Sequence, residues 1–123
     1  MKLSPSEEQL MNYLWKLEKA FMKDLLQAYP DPKPAPTTVA TLLKRMAEKK
    51  FVSYKTYGNS REYYPLITKA AYFGKQVKGM IKNFFDNSPS QFASFFTSET
   101  DMSQEELEEL KQLIDRQIEN KKQ

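Results

Sequence analysis

The feature that most narrows what this chain can fold into lies between Pro36 and Lys50, where Val39, Leu42, Leu43 and Met46 recur at i, i+3, i+4 and i+7. That spacing makes one apolar stripe on an α-helix, so one side of the helix belongs to a core. Turning ~100° per residue places Thr37, Thr41, Lys44 and Glu48 opposite the stripe and Thr38 and Arg45 along one margin. Short hydroxyls with a Lys and an Arg are what a helix needs in a DNA major groove. Small side chains allow close approach, hydroxyls bond bases or phosphates, and cations neutralise backbone charge. An ordinary solvated face has the same composition, so the neighbouring segments have to decide.

Upstream, Ser4-Pro5-Ser6-Glu7 has the pattern of a capping box with Pro at the first helical position. Leu10, Met11, Leu14 and Leu17 then mark a buried stripe, flanked by Tyr13 and by Trp15, which reads as a core or core-edge anchor more than as a ligand stacker. A second helix is predicted over Phe21 to Tyr29 and is stopped by Pro30. Pro30, Pro32, Pro34 and Pro36 make the next segment a stiff, extended turn into the central helix. Downstream, two β-prone runs within residues 51–65 are joined by Gly58-Asn59, with Gly supplying a positive φ at the first turn position of a hairpin. Three helices followed by a hairpin is the order of a winged helix-turn-helix domain. Lys55, Tyr57, Asn59 and Arg61 sit near the tip of the wing, in reach of a phosphate backbone or a minor groove. Of Tyr54, Tyr57, Tyr63 and Tyr64, about half are expected to point inward by strand alternation.

The inventory excludes whole classes of chemistry. The chain has no Cys and no His, which removes disulfides, thiol redox, zinc fingers and His-based acid–base catalysis. Three glycines, Gly58, Gly74 and Gly79, form no phosphate loop. No enzyme activity, cofactor or metal site is expected. No apolar run is long enough to span a membrane and the start lacks a signal-peptide core, so a cytoplasmic location is expected. Residues 1–90 carry fifteen Lys and Arg against eight Asp and Glu, whereas residues 91–123 carry four against eight. The basic charge thus lies with the central helix, which suits a polyanionic partner.

Behind the wing, Thr68 is placed to cap a long helix whose stripe includes Tyr72, Phe73, Val77, Met80, Ile81, Phe84 and Phe85. Ser88-Pro89-Ser90-Gln91 and Ser103-Gln104-Glu105-Glu106 read as two more capping boxes. The first precedes Phe92, Phe95 and Phe96, and the second precedes Leu107, Leu110, Leu113, Ile114 and Ile118. Each large side chain left in water forgoes ~1.5–3 kcal/mol, and three such helices make a poor core unaided. A second copy of the chain is the simplest cover, with Phe73, Val77, Ile81, Phe84, Phe92, Phe95, Phe96, Leu107, Leu110 and Ile114 at the interface. A membrane surface fits less well, because Glu105, Glu106, Glu108 and Glu109 make the last helix acidic. Those carboxylates read as a solvated helix start favoured by its dipole, not a metal site. The fold class is mainly α with a small β-hairpin, a winged helix domain over 1–67 and a three-helix dimerisation region over 68–123.

Several segments together resemble the BlaI/MecI family of penicillinase and methicillin-resistance repressors. They are Thr38-Val39-Ala40-Thr41-Leu42-Leu43-Lys44-Arg45-Met46, which matches a T-V-x-T-L-L-x-R-L signature, then Lys49, Phe51-Val52 and Tyr63-Tyr64-Pro65-Leu66. The start Leu3-Ser4-Pro5-Ser6-Glu7 and the tail from Asp101 to Leu110 fit as well. The resemblance implies a dimeric bacterial repressor on a two-fold DNA operator, with a recognition helix at about 36–50 and a wing at 51–65. Carried over by position, Thr38, Thr41 and Arg45 contact DNA, with Thr37 and Lys44 on the backbone. It also implies a membrane-bound sensor protease that cuts the rear region, although Phe95-Phe96 stands where the family has Asn-Phe. Lys50 stands where the family has Gly, and the cysteine cluster of copper-responsive relatives is absent. The alternative is a protein-interaction adaptor that docks through the winged helix, and it would need apolar anchors on the outer face of the central helix.

Overall fold

The computed structural model describes residues 2–123 and holds six helices and one small sheet. In chain order these are α1 (Pro5–Leu17), β1 (Ala20–Phe21), α2 (Met22–Ala28), α3 (Pro36–Glu48), β2 (Val52–Tyr57), β3 (Ser60–Pro65), α4 (Lys69–Phe84), α5 (Pro89–Glu99) and α6 (Gln104–Lys121). The sheet is antiparallel in the order β1-β3-β2. This is a winged helix followed by a helical tail. Two compact units are distinguished, the first ending at Gly74 and the second being Lys75–Gln123.

The capping box at Ser4 forms as expected: the Glu7 amide donates to Ser4 Oγ at 3.3 Å, and the Ser4 amide donates to Glu7 Oε1 at 2.7 Å. Leu10, Met11 and Leu14 are sealed, together with Leu25, Val39, Leu43, Met46 and Val52. Leu17, expected in that stripe, is instead 43% exposed, because it is the last residue of α1 and lies past the core. Leu42, on the rim of the α3 stripe, is half-buried. Trp15 holds the core edge, and its indole N–H donates to the Ile67 carbonyl at 2.8 Å.

The second helix starts one residue later than its sequence suggests. Ala20 and Phe21 pair with Tyr63 and Glu62 as a short third strand, and the Phe21 amide donates to Asp24 Oδ2 at 2.9 Å to open α2. Past the end of α2, the Lys33 ammonium donates to the carbonyls of Tyr29 (2.7 Å) and Gln27 (3.3 Å), so a cation meets the negative end of the helix dipole. At the hairpin, Gly58 has φ +61° and Asn59 does not share that sign, which is the signature of a type II′ turn.

The central helix ends at Glu48, short of the expected residue 50, in a Schellman motif built on a lysine. Lys50 takes φ +67°, its amide donates to the Ala47 carbonyl, and the Phe51 amide donates to that of Met46. A left-handed lysine carries a backbone penalty of ~1–2 kcal/mol, part of which glycine would forfeit through its freer unfolded state. Lys50→Gly is therefore expected to stabilise the fold by about 0.5–1 kcal/mol, to be checked by urea denaturation. An unchanged midpoint would show that the lysine sits there without strain.

The first unit extends past the boundary expected after residue 67, because Tyr72 is part of its core. Its hydroxyl donates to Glu8 Oε2 at 2.7 Å and accepts from the Leu3 amide at 3.1 Å, and its ring meets Phe51 edge-on. Burial first, and the bond to Glu8 next, raise the Tyr72 pKa above its ordinary value. One ion pair holds the far end of α3 to α1: the Lys49 ammonium lies 2.8 Å from Glu7 Oε1. Burial works against the charged Glu7, but Lys49 and Ser4 together outweigh it and hold the carboxyl below its usual pKa.

In the second unit Phe85 packs against Phe92 and Phe95, and Phe92 stacks on Phe96. Ser88 accepts from the Gln91 amide without the reciprocal bond, so the expected box is half-formed, whereas Ser103 and Glu106 complete theirs. No side chain of residues 75–123 is buried. No described helix is long and apolar enough to cross a membrane.

Candidate nucleic-acid interface

Burying Val39, Leu43 and Met46 under α1 and α2 fixes the rotation of α3 and turns its other side out. Thr37, Thr38, Ala40, Thr41, Lys44, Arg45 and Glu48 are all exposed. Thr37, Thr41, Lys44 and Glu48 form a row along this face, with Thr38 and Arg45 beside it. The helix begins on Ala35 and Pro36 with no side-chain cap, so the positive end of its dipole is next to Thr37 and Thr38. The Thr41 hydroxyl donates to the Thr37 carbonyl at 2.9 Å. While that bond holds, Thr41 Oγ1 is an acceptor, suited to an adenine or cytosine amino group more than to a phosphate.

The wing residues divide between two faces. Register pairs Tyr54 with Tyr63 and Thr56 with Arg61, so alternation puts Tyr54 and Arg61 on one face and Lys55 and Tyr57 on the other. Of the four tyrosines, Tyr63 is buried and Tyr64 half-buried, while Tyr54 and Tyr57 are exposed. The Arg61 guanidinium lies over the Tyr54 ring, 4.3 Å from its centroid. Tyr54, Arg61 and Tyr63 form one wall of a cleft whose other wall is the α3 face, including Ala40, Lys44 and Glu48. Lys55 and Tyr57 line a separate groove with Glu18, Lys19 and Glu62, and Tyr57 meets the ring of Phe21 edge-on. Asn59 is at the exposed turn. Of the expected site residues on α3, Lys44 shares this cleft with Arg61, whereas Thr37, Thr38, Thr41 and Arg45 do not line it, and Lys55 and Tyr57 lie in the other groove.

Two participants have no local signal in the sequence. Ala40 and Tyr54 belong to the cleft only through the pairing of β2 with β3 and the docking of the hairpin near α3. Strand register would have found Tyr54, since it shares a face with Arg61.

The expected interface residues of the rear helices are all accessible. Phe73 is half-exposed and packs on Trp15 and Tyr72. Val77, Phe84, Phe95, Phe96, Leu107 and Ile114 are exposed, Phe84 by 79%, and Ile81, Phe92 and Leu110 are half-buried. Among the described residues no group of three or more carboxylates is placed to hold a metal.

Comparison with known proteins agrees with this architecture. The chain is 25% identical over 116 residues to the methicillin resistance regulatory protein MecI of Staphylococcus aureus strain N315, covering 94% of each chain. The MecI of Mammaliicoccus sciuri is 24% identical over the same length and coverage. Among solved structures, the DNA binding domain of the repressor BlaI matches 58% of this chain and 88% of its own with a TM-score of 0.51 at 22% identity, a likeness of fold. A model of the penicillinase repressor family matches residues 3–116, and the chain belongs to that family.

Proposed function

We propose that this chain is a transcriptional repressor that binds an inverted-repeat DNA operator as a homodimer. The observation that carries the reading is the outward face of α3, where Thr37, Thr38, Thr41, Lys44 and Arg45 are exposed while Val39, Leu43 and Met46 are sealed. Placed in a major groove, this face offers hydroxyls and a methyl-bearing surface to the bases and cations to the phosphates. Arg61 extends the contact onto the backbone from the wing, and Lys55 and Tyr57 serve only a strand that wraps the hairpin tip. The family's relatives named as resistance regulators and the BlaI DNA binding domain support this use of the fold.

The rear helices support the two-fold form, because their apolar side chains have no interior of their own. Two α3 helices would enter major grooves ~34–36 Å apart. The adaptor alternative is not favoured, since the exposed face of α3 presents no large apolar anchor. Phe95-Phe96, the expected cleavage position, lies inside α5, so a protease would act there only after local unwinding.

The test is binding to genomic fragments, with the protected sequence read by footprinting and the affinity by titration across salt. The expected result is a symmetric footprint and an affinity that falls about 10³-fold or more between 50 and 200 mM salt. Arg45→Ala is expected to lose sequence preference, by about 10-fold or more, if Arg45 reads a guanine, and to weaken all duplexes alike if it holds a phosphate. Affinity flat with salt, or no protected site, would reject the reading.

A further inference from the structure

We propose that Tyr54 is a positioning residue for DNA binding: its ring holds the Arg61 guanidinium at the mouth of the cleft beside α3, where Arg61 and Lys44 grip one phosphodiester strand from opposite walls. This rests on the operator-binding reading above and assigns a division of labour within that surface. Tyr54 and Arg61 are diagonal neighbours on one face of the hairpin, with the guanidinium 4.3 Å above the ring. The ring is backed by Tyr63, 5.5 Å away and itself buried, so the platform is anchored to the core. Among the described residues the one salt bridge joins Lys49 to Glu7, so no carboxylate neutralises Arg61, and Lys44 across the cleft is equally unpaired. Glu48 lines the same cleft beyond ion-pair distance of either cation.

The rest of the cleft fits a passing strand. Ala40 and Ala47 keep the α3 wall low, which leaves room for a sugar-phosphate chain between helix and hairpin. An arginine already stacked on an aromatic face has fewer rotamers to lose on binding, and its fork of donors stays pointed at phosphate oxygens. Tyr54 is itself 38% exposed and its hydroxyl makes no hydrogen bond among the described residues, so the ring face is the part that acts.

Backbone contacts are independent of sequence, so the probe is a random-sequence duplex of about 30 base pairs bound to the full chain across a salt series. Arg61→Ala is expected to weaken binding about 10-fold and to flatten the slope of log affinity against log salt by roughly 0.9 for each phosphate released. Tyr54→Leu is expected to weaken binding about 3–5-fold in the wild type and not at all in the Arg61→Ala background, whereas Tyr54→Phe stays within about 2-fold of wild type. Independent, multiplying effects of the two changes would overturn the proposal. So would a Tyr54→Leu protein that melts lower yet binds as tightly. A wild type that ignores the duplex at every salt concentration would instead reject the operator reading itself.

Discussion

Lys49→Met is expected to lower the unfolding free energy by about 2–3 kcal/mol at neutral pH and the melting midpoint by roughly 10–20 °C. The partner it abandons is Glu7, whose side chain is 2% exposed and whose Oε1 receives both Lys49 at 2.8 Å and the Ser4 amide at 2.7 Å. Breaking a buried pair from one side leaves an uncompensated charge and costs about 3–5 kcal/mol; a value at or just below that range applies here because the Lys49 side chain is 30% exposed and partly solvated. Glu7 Oε2 is buried with no hydrogen-bond partner among the described residues, so the lysine is the main compensation there.

The pH dependence identifies this cause. Glu7 titrates below its ordinary 4.5 in the folded chain, so the pair's contribution is complete above that value and disappears as pH falls through the lowered folded pKa. In Lys49→Met the carboxyl can take up a proton earlier, and the gap to wild type is expected to narrow as pH drops below about 4.5. Adding Glu7→Gln to the variant is expected to restore part of the loss at neutral pH, since the amide oxygen still accepts from Ser4 without carrying charge. Thermal melts of the three proteins between pH 3.5 and 7 measure all of this. Equal midpoints for Lys49→Met and wild type at pH 7 would show that the pair contributes nothing.

That ion pair also marks where sequence reading stops. Glu7 was legible as a capping residue because its partner Ser4 is three positions away, whereas Lys49 lies 42 positions on and no local pattern joins them. The same holds for the wing. The Gly58-Asn59 turn and the alternation of β2 and β3 were plain, but β1 is two residues whose strand character exists only through pairing with β3. Such a segment has no periodicity to detect. The exposed face of α3 followed directly from its 3.6-residue stripe, so which of its side chains point outward was readable. The partition of Lys55 and Tyr57 away from Arg61 needed the strand register. At Lys50 the sequence showed that glycine was missing, yet only the backbone reveals that the left-handed turn is made regardless.

The rear helices carry the other large effect. Placing Asp at both Leu110 and Ile114 of α6 is expected to give a monomer by sedimentation and to weaken binding to an inverted-repeat operator by about 10²–10⁴-fold, because the second half-site is no longer bound intramolecularly. Leu110 is half-buried and Ile114 is 49% exposed within one chain, so neither substitution opens the core of the first unit. In a two-fold interface each change occurs twice, and the double variant buries four carboxylates where apolar side chains would meet. Residues 91–123 already have eight acidic groups against four basic ones, so repulsion adds to the loss of burial. Binding to a single isolated half-site is expected to change by less than about 3-fold, since in the proposed complex each winged helix would meet its half-site unaided. This contrast separates loss of assembly from loss of the DNA surface. A double variant that remains dimeric and holds the two-fold operator as tightly as wild type would remove α6 from the interface and leave the apolar faces of α4 and α5 to join the subunits.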